Sequence, residues 1–314
     1  MARLRTPATA GVLFCAVALL AGCAAPQVSG LLERRPPDLP SRAEIAQTPF
    51  FPQEEYQCGP ASLASVLQHA GKAASPESLR PQVYVPGRQG SLQAEMLAGA
   101  RRHGLLAYPP APNVEALLRE IAAGTPAVVL QNLALDWAPL WHYAVAIGYD
   151  LEAREIVLRS GVTYRLAMSL DTFERTWARG GYWAMLALPP DRLPAGATES
   201  PYVSAAAALE RADPAAASHA YETALSRWPE NLAALLGLGN ARYALRDLAG
   251  AAAAYRHVTQ RHPGFADAWN NLAQALIELD ARDEALAAAR RAVAIGGPRL
   301  DTYRQTLEHI LRSP

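Results

Sequence analysis

"FFPQEEYQCGPASLASVLQHAG", residues 50 to 71, places one cysteine, Cys58, between a polar run and an apolar one. Leu63, Val66 and Leu67 recur at the spacing of one helical face, and Gly71 supplies a stop. Pro60 suits a first helical turn, where its missing N–H removes no intrahelical bond. The spacing therefore predicts a helix that starts at or beside Cys58. A helix N-terminus carries partial positive charge and free N–H groups, which favour a thiolate. The competing reading is a buried structural thiol, a common fate of cysteine. A polar lead-in and a helix start are poor surroundings for one.

Upstream, "MARLRTPATAGVLFCAVALLAGC" has two basic residues, Arg3 and Arg5, an uncharged apolar run and small residues before Cys23. This is the layout of a secretory signal, expected over residues 1–22. Its last four residues, Leu20-Ala21-Gly22-Cys23, resemble a bacterial lipobox, which implies acylation of Cys23. Two or three acyl chains hold a protein firmly to a membrane where one would be marginal. The expected location is the bacterial cell envelope, lipid-anchored, and the periplasmic face of the outer membrane for a Gram-negative source. Of three cysteines, Cys15 would leave with the signal and Cys23 would be acylated, so Cys58 has no partner for a disulfide. From 23 to 45 the chain is rich in proline, serine and charge and reads as a tether. Some twenty residues at about 3.3 Å each would reach roughly 70 Å.

Downstream, a nucleophilic thiol needs a base, and three histidines fall in the same predicted domain, 46–190. His69 lies eleven residues along the Cys58 helix, about 16 Å from its start. His103, in "GARRHGLLAY", reads as the last turn of another helix. His142 opens "WHYAVAIGYD", the second of two apolar runs that read as strands, and can face a site at the sheet edge. Cys58 with His142 is the pair that position and elimination favour. Trp137, Trp141, Trp177 and Trp183 cluster around that strand and the domain end; they read as core, with Trp141 also able to wall a groove.

Together, "FFPQEEYQCGPASLASVL" and "WHYAVAIGYD" resemble the bacteriocin-processing, double-glycine-leader branch of the papain-like cysteine peptidases, over roughly residues 48 to 188. The pair Gln-x4-Cys-Gly-Pro-Ala and His-x-x-Val-x-x-Gly-Tyr carries the resemblance. It implies an α+β domain with Cys58 as nucleophile, His142 as general base and acid, and Gln53 as oxyanion-hole donor, with Gln57 as the fallback. The family also expects an Asp-Pro on the next strand to orient the imidazole. Here "REIVLRSGVTYRL" puts Ser160 at that place. The orienting group stays open between Ser160, Asp150 and none; Asp150 reads as a turn residue and Asp171 as a helix cap or first-turn acid.

After "PPDRLPAGATESP" the chain turns alanine-rich, and residues 198–314 carry an internal repeat. Pro229, Pro263 and Gly297 stand 34 residues apart, as do Ala217, Ala251 and Ala285. Tyr221, Tyr255 and Ala289 follow in register, then Ala224, Val258 and Ala292. These units resemble tetratricopeptide repeats, which implies an all-α solenoid with a groove for a peptide or protein partner.

Formal charge is zero, or −2 without the two signal arginines (27 basic against 29 acidic), and no basic patch suggests nucleic acid. No metal or cofactor is expected: one free cysteine and scattered histidines do not make a zinc site, and no glycine-rich phosphate loop occurs. The expected function is a membrane-anchored cysteine peptidase that cuts, by family preference, after a small-residue pair such as Gly-Gly. Its repeats would recruit the protein substrate or a partner. The alternatives are acyl or amide transfer by the same residues, and a weakly active or inactive binding lipoprotein acting through its repeats.

Overall fold

The computed structural model describes residues 25–53 and 57–312. The signal read at 1–22 and the acylation read at Cys23 lie outside the described residues.

In chain order the elements are α1 (Pro26–Glu33), β1 (Arg42–Glu44), α2 (Cys58–His69), α3 (Pro76–Val83), β2 (Tyr84–Val85), β3 (Gly90–Ser91), α4 (Gln93–Arg102), β4 (Leu106–Tyr108) and α5 (Val114–Ala122). There follow β5 (Ala127–Asn132), β6 (Trp141–Asp150), β7 (Glu155–Ser160), β8 (Thr163–Ser169), α6 (Leu170–Arg179) and β9 (Ala184–Leu188). Seven helices complete the chain: α7 (Glu199–Leu209), α8 (Pro214–Arg227), α9 (Leu232–Ala244), α10 (Leu248–Arg261), α11 (Ala266–Glu278), α12 (Arg282–Ile295) and α13 (Leu300–Arg312). The fold is thus an α+β domain followed by an all-α repeat region. Among the described residues, chain packing separates two compact units, those up to 96 with 109–186, and 97–108 with those from 187.

The sheet runs β4-β9-β5-β6-β7-β8, with β1 also paired to β6, and β2 and β3 form a separate hairpin. β5 is buried along its whole length, and β6 is buried from Tyr143 to Tyr149, as their unbroken apolar runs require. The ends of β6 escape full burial, Trp141 and His142 at its start and Asp150 at its close, so the strand delivers His142 to the edge of the core. Gln131 pairs with His142 across β5 and β6, and its amide donates to Thr176 Oγ1 at 2.6 Å. That buried bond fixes the strand end on which His142 stands.

The expected tether is folded from residue 25 onward. Val28 and Leu31, three residues apart on α1, are buried, and the Glu174 carboxylate accepts from the N–H groups of Gln27 (3.0 Å) and Val28 (2.7 Å). A carboxylate at a helix N-terminus satisfies donors that the helix itself leaves open. β1 then pairs antiparallel with β6, matching Ala43 to Tyr149. Gly148 permits this approach, since a Cβ there would lie 3.0 Å from the Ala43 carbonyl oxygen.

In the repeat region, Ala217, Ala251, Ala285 and Ala289 are fully buried, and Tyr221 and Tyr255 are nearly so. Asp213 and Asp247, 34 residues apart, each cap a helix by accepting from the backbone N–H three residues on. The small residues make room for the tyrosines. A Cβ on Gly237 would fall 2.1 Å from the Tyr221 ring, and one on Gly239 would fall 2.4 Å from the Tyr255 ring.

Candidate active site

Cys58 is the first residue of α2, after Gln57. The rest of that first turn is buried, while the thiol residue is itself partly exposed. Gly59 is what lets the β2–β3 hairpin approach: a Cβ there would meet Ser91 Oγ at 2.2 Å. Tyr143, next to His142, donates its hydroxyl to the Ser91 carbonyl at 3.2 Å. Helix start, hairpin and the opening of β6 therefore close on one another. Between them lies a cavity of about 720 Å³ lined by Cys58, His142 and Gln53.

His142 Nε2 lies 2.8 Å from Ser160 Oγ. The sheet explains the meeting. Val145 pairs with Arg159, so one step further along Ser160 stands beside Ala144, two residues from His142 and on the same face. Arg159 points the other way and is buried, donating to the carbonyls of Ala46, Thr48 and Tyr164 and stacking on the Tyr164 ring at 3.8 Å. It ties the segment before Gln53 to the strand end that carries Ser160. The other open candidate does not reach. Asp150 lies eight residues along β6 from His142, about 26 Å at strand rise, and accepts from the N–H groups of Glu152 and Ala153 in a turn. Asp171 pairs with Arg154 at 3.0 Å.

Gln53 is held from both sides. Its N–H donates to the Gly161 carbonyl at 3.0 Å, its Oε1 accepts from the Gly161 N–H at 3.1 Å, and its Nε2 points to Ser62 Oγ at 3.4 Å. One amide hydrogen remains for the cavity. Gln57 is not on the cavity lining. Neither other histidine enters the site: His69 Nε2 lies 3.2 Å from the Gly124 carbonyl, and His103 Nδ1 lies 2.9 Å from that of Gly99.

Burial dominates the electrostatics. It raises the Cys58 thiol above its ordinary value, against hydrogen bonding from the backbone N–H groups of Tyr143, Gly59 and Cys58 itself. Burial also lowers His142, and Ser160, being neutral, does not offset it. Burial thus disfavours the thiolate and the imidazolium alike. A helix start alone had suggested a thiolate; loss of solvent outweighs it.

Sequence reading missed the hairpin and its flank, which contribute Arg88, Gln89, Gly90, Ser91, Leu92 and Gln93 to the lining. The available signal was Gly59, whose lack of a side chain implies something packed against the helix start. Arg88 is the one charged side chain among the described lining residues. Of the tryptophans, Trp177 is buried as expected for core, but Trp137 is 83% exposed. The reason is its place in a surface loop between β5 and β6. In the repeat region, a second cavity of about 490 Å³ is lined by Tyr243, Gln274, Glu278, Thr302, Thr306 and His309 among others. Tyr243 and Arg246 both bond the Glu278 carboxylate and hold its pKa below the ordinary range.

Comparison with known proteins matches this organisation. Residues 45–185 fit the model of the Peptidase_C39 like family, and residues 202–264 and 239–299 fit the tetratricopeptide repeat. Residues 45–185 are thus similar to a C39-like peptidase domain, and residues 202–299 to tetratricopeptide repeats. A solved C39-like peptidase from Bacillus anthracis is 18% identical, with a TM-score of 0.41 over 47% of this chain and 97% of that one. A double glycine motif protease from an AMS/PCAT transporter, solved with its leader peptide, is 23% identical, with a TM-score of 0.33 over 45% of this chain and 90% of that one. No curated protein matches the sequence.

Proposed function

We propose that the protein is a cysteine peptidase of the bacterial cell envelope, anchored by acylated Cys23, that hydrolyses a peptide bond on Cys58 and His142. The observation that carries this reading is His142 Nε2 set 2.8 Å from Ser160 Oγ, on a residue that lines one cavity with Cys58 and Gln53. With Nε2–H donating to Ser160 Oγ, Nδ1 carries the lone pair that accepts the thiol proton as sulfur attacks the scissile carbonyl carbon. The oxyanion takes N–H bonds from the Cys58 backbone and Gln53 Nε2; such donors contribute roughly 3 kcal/mol each to the transition state. Imidazolium Nδ1–H then protonates the leaving amine as the C–N bond breaks, leaving a thioester. Nδ1 next deprotonates a water that attacks the thioester, releasing the acid and restoring the thiol; an amine in place of water would give transfer.

Family preference favours a small-residue pair such as Gly-Gly before the cut. The repeats would recruit the protein substrate or a partner. For a Gram-negative source, the site would face the periplasm from the outer membrane.

Comparing new N-termini in envelope proteomes of wild type and Cys58→Ala tests the reading. A terminus lost in the variant identifies the substrate. Identical proteomes favour the second reading, a peptidase-like binding protein acting through its repeats. The raised thiol and lowered imidazole support that alternative, because both disfavour a standing thiolate.

A further inference from the structure

Between β5 and β6, residues 133–141 read "LALDWAPLW", with Asp136 their single charge. Leu133 is 43% exposed, Leu135 57%, Trp137 83%, Leu140 59% and Trp141 53%. Five large apolar side chains facing water in nine residues make a patch of the kind that marks a contact surface. The loop is braced rather than loose. Asn132 Oδ1 accepts from the N–H groups of Ala134 and Leu140, both at 3.0 Å, and Leu133 N–H donates to the Leu140 carbonyl at 2.9 Å. Ala138 N–H closes a turn on the Leu135 carbonyl at 3.1 Å, and Arg179 donates to the Asn132 carbonyl at 2.9 and 3.2 Å. Backbone polar groups are turned inward, and the apolar side chains are held out.

The chain before residue 25 indicates what covers them. It includes Cys23, the proposed acylation site, and it joins the fold at Ala25, which is buried. Cys23 is two residues away, so its side chain is rooted within about 7 Å of that point. The same helix, α6, holds both places: Glu174 binds the start of α1, and Arg179 binds the base of the loop. The two residues stand about 7.5 Å apart along the helix axis. Tryptophan and leucine with little charge is the composition that settles at a membrane–water interface.

We propose that the 133–141 loop inserts into the membrane interface to which the N-terminus is anchored. Leu140 and Trp141, which also line the Cys58 cavity, then bring the cleft to the lipid surface, where it takes peptide segments lying at or emerging from the membrane. The orientation rests on the proposed anchoring at Cys23; the insertion is tested without it.

The chain without residues 1–23, which keeps every described residue, is mixed with phosphatidylethanolamine–phosphatidylglycerol vesicles and floated. The expected result is co-flotation with a blue shift of tryptophan emission. Leu135→Ser with Trp137→Ser should lower the partition about tenfold, with circular dichroism unchanged. Equal flotation of both proteins, or of neither, overturns the proposal. So does an emission shift produced by added peptide and not by vesicles, which would assign the patch to substrate. Mass analysis of the Cys23 peptide from the full chain reads acylation separately, so the anchoring can fail while the insertion stands.

Discussion

In the C39-like domain, buried polar side chains gather around one end of the sheet. Gln131, Asn132, Ser62 and Arg159 are nearly inaccessible and brace β5, α2 and β7 where His142, Cys58 and Ser160 converge. The repeat region distributes its resources differently. Its core is mostly alanine with leucine and tyrosine, and its charges sit in exposed pairs such as Arg256–Glu284 and Arg261–Glu230. Exposed pairs of that kind contribute little stability, about 0 to 1 kcal/mol each. One region uses buried polar groups to position the side chains of the candidate site; the other uses side-chain volume to stack helices. Substitutions should therefore separate cleanly, changing chemistry at nearly constant stability in the first and stability at nearly constant chemistry in the second.

The largest expected effect is that of Cys58→Ala, which should lower peptide turnover on the order of 10⁴-fold or more while leaving the thermal midpoint in place. Calorimetry beside a turnover assay reads both. Gln53→Ala should cost about 10²-fold in kcat with little change in KM, because in the proposed mechanism its amide serves the oxyanion and not the bound substrate. A loss confined to KM would instead make Gln53 a binding residue. The converse case is Gly237→Val, whose new side chain would run into the Tyr221 ring. It should destabilise the repeat region by about 1 to 3 kcal/mol, with cleavage of a short soluble peptide unchanged.

The mildest expected change is in pH dependence. Burial holds His142 below its ordinary 6.5, so the imidazole stays unprotonated to lower pH and the acid limb of activity should lie below 6.5. Ser160→Asp supplies a negative charge that favours imidazolium. It should raise the His142 pKa and move the acid limb upward by about one pH unit. An unmoved limb would mean that His142 does not govern it.

The same contrast explains what could be read from the sequence. The repeat is local, so a 34-residue period exposed its buried positions directly. Cys58 and His142 were legible because each opens an element, a helix and a strand, with its own sequence signal. Ser160 depended on strand register, and two irregularities, between Ala146 and Gly148 and between Leu158 and Ser160, hide that register from any count along the chain. α1 escaped notice because the acid that caps it, Glu174, lies 146 residues from Val28. Trp137 passed for core because composition records that a residue is apolar, not which side of a loop it occupies. The protonation state of Cys58 required the burial of a whole cleft, which a helix start does not reveal.

The central claim is that Cys58 and His142 act as one proton-sharing pair. Its most direct measurement is the rate of Cys58 alkylation by iodoacetamide from pH 5 to pH 9, in wild type and in His142→Ala. In wild type, the expected rate depends on an ionisation below 6.5 as well as on the thiol, since a neutral imidazole must accept the thiol proton. In His142→Ala that lower ionisation should vanish and the rate near neutrality should fall about 10²-fold. Superimposable profiles for the two proteins would contradict the pair and leave Cys58 a solitary thiol.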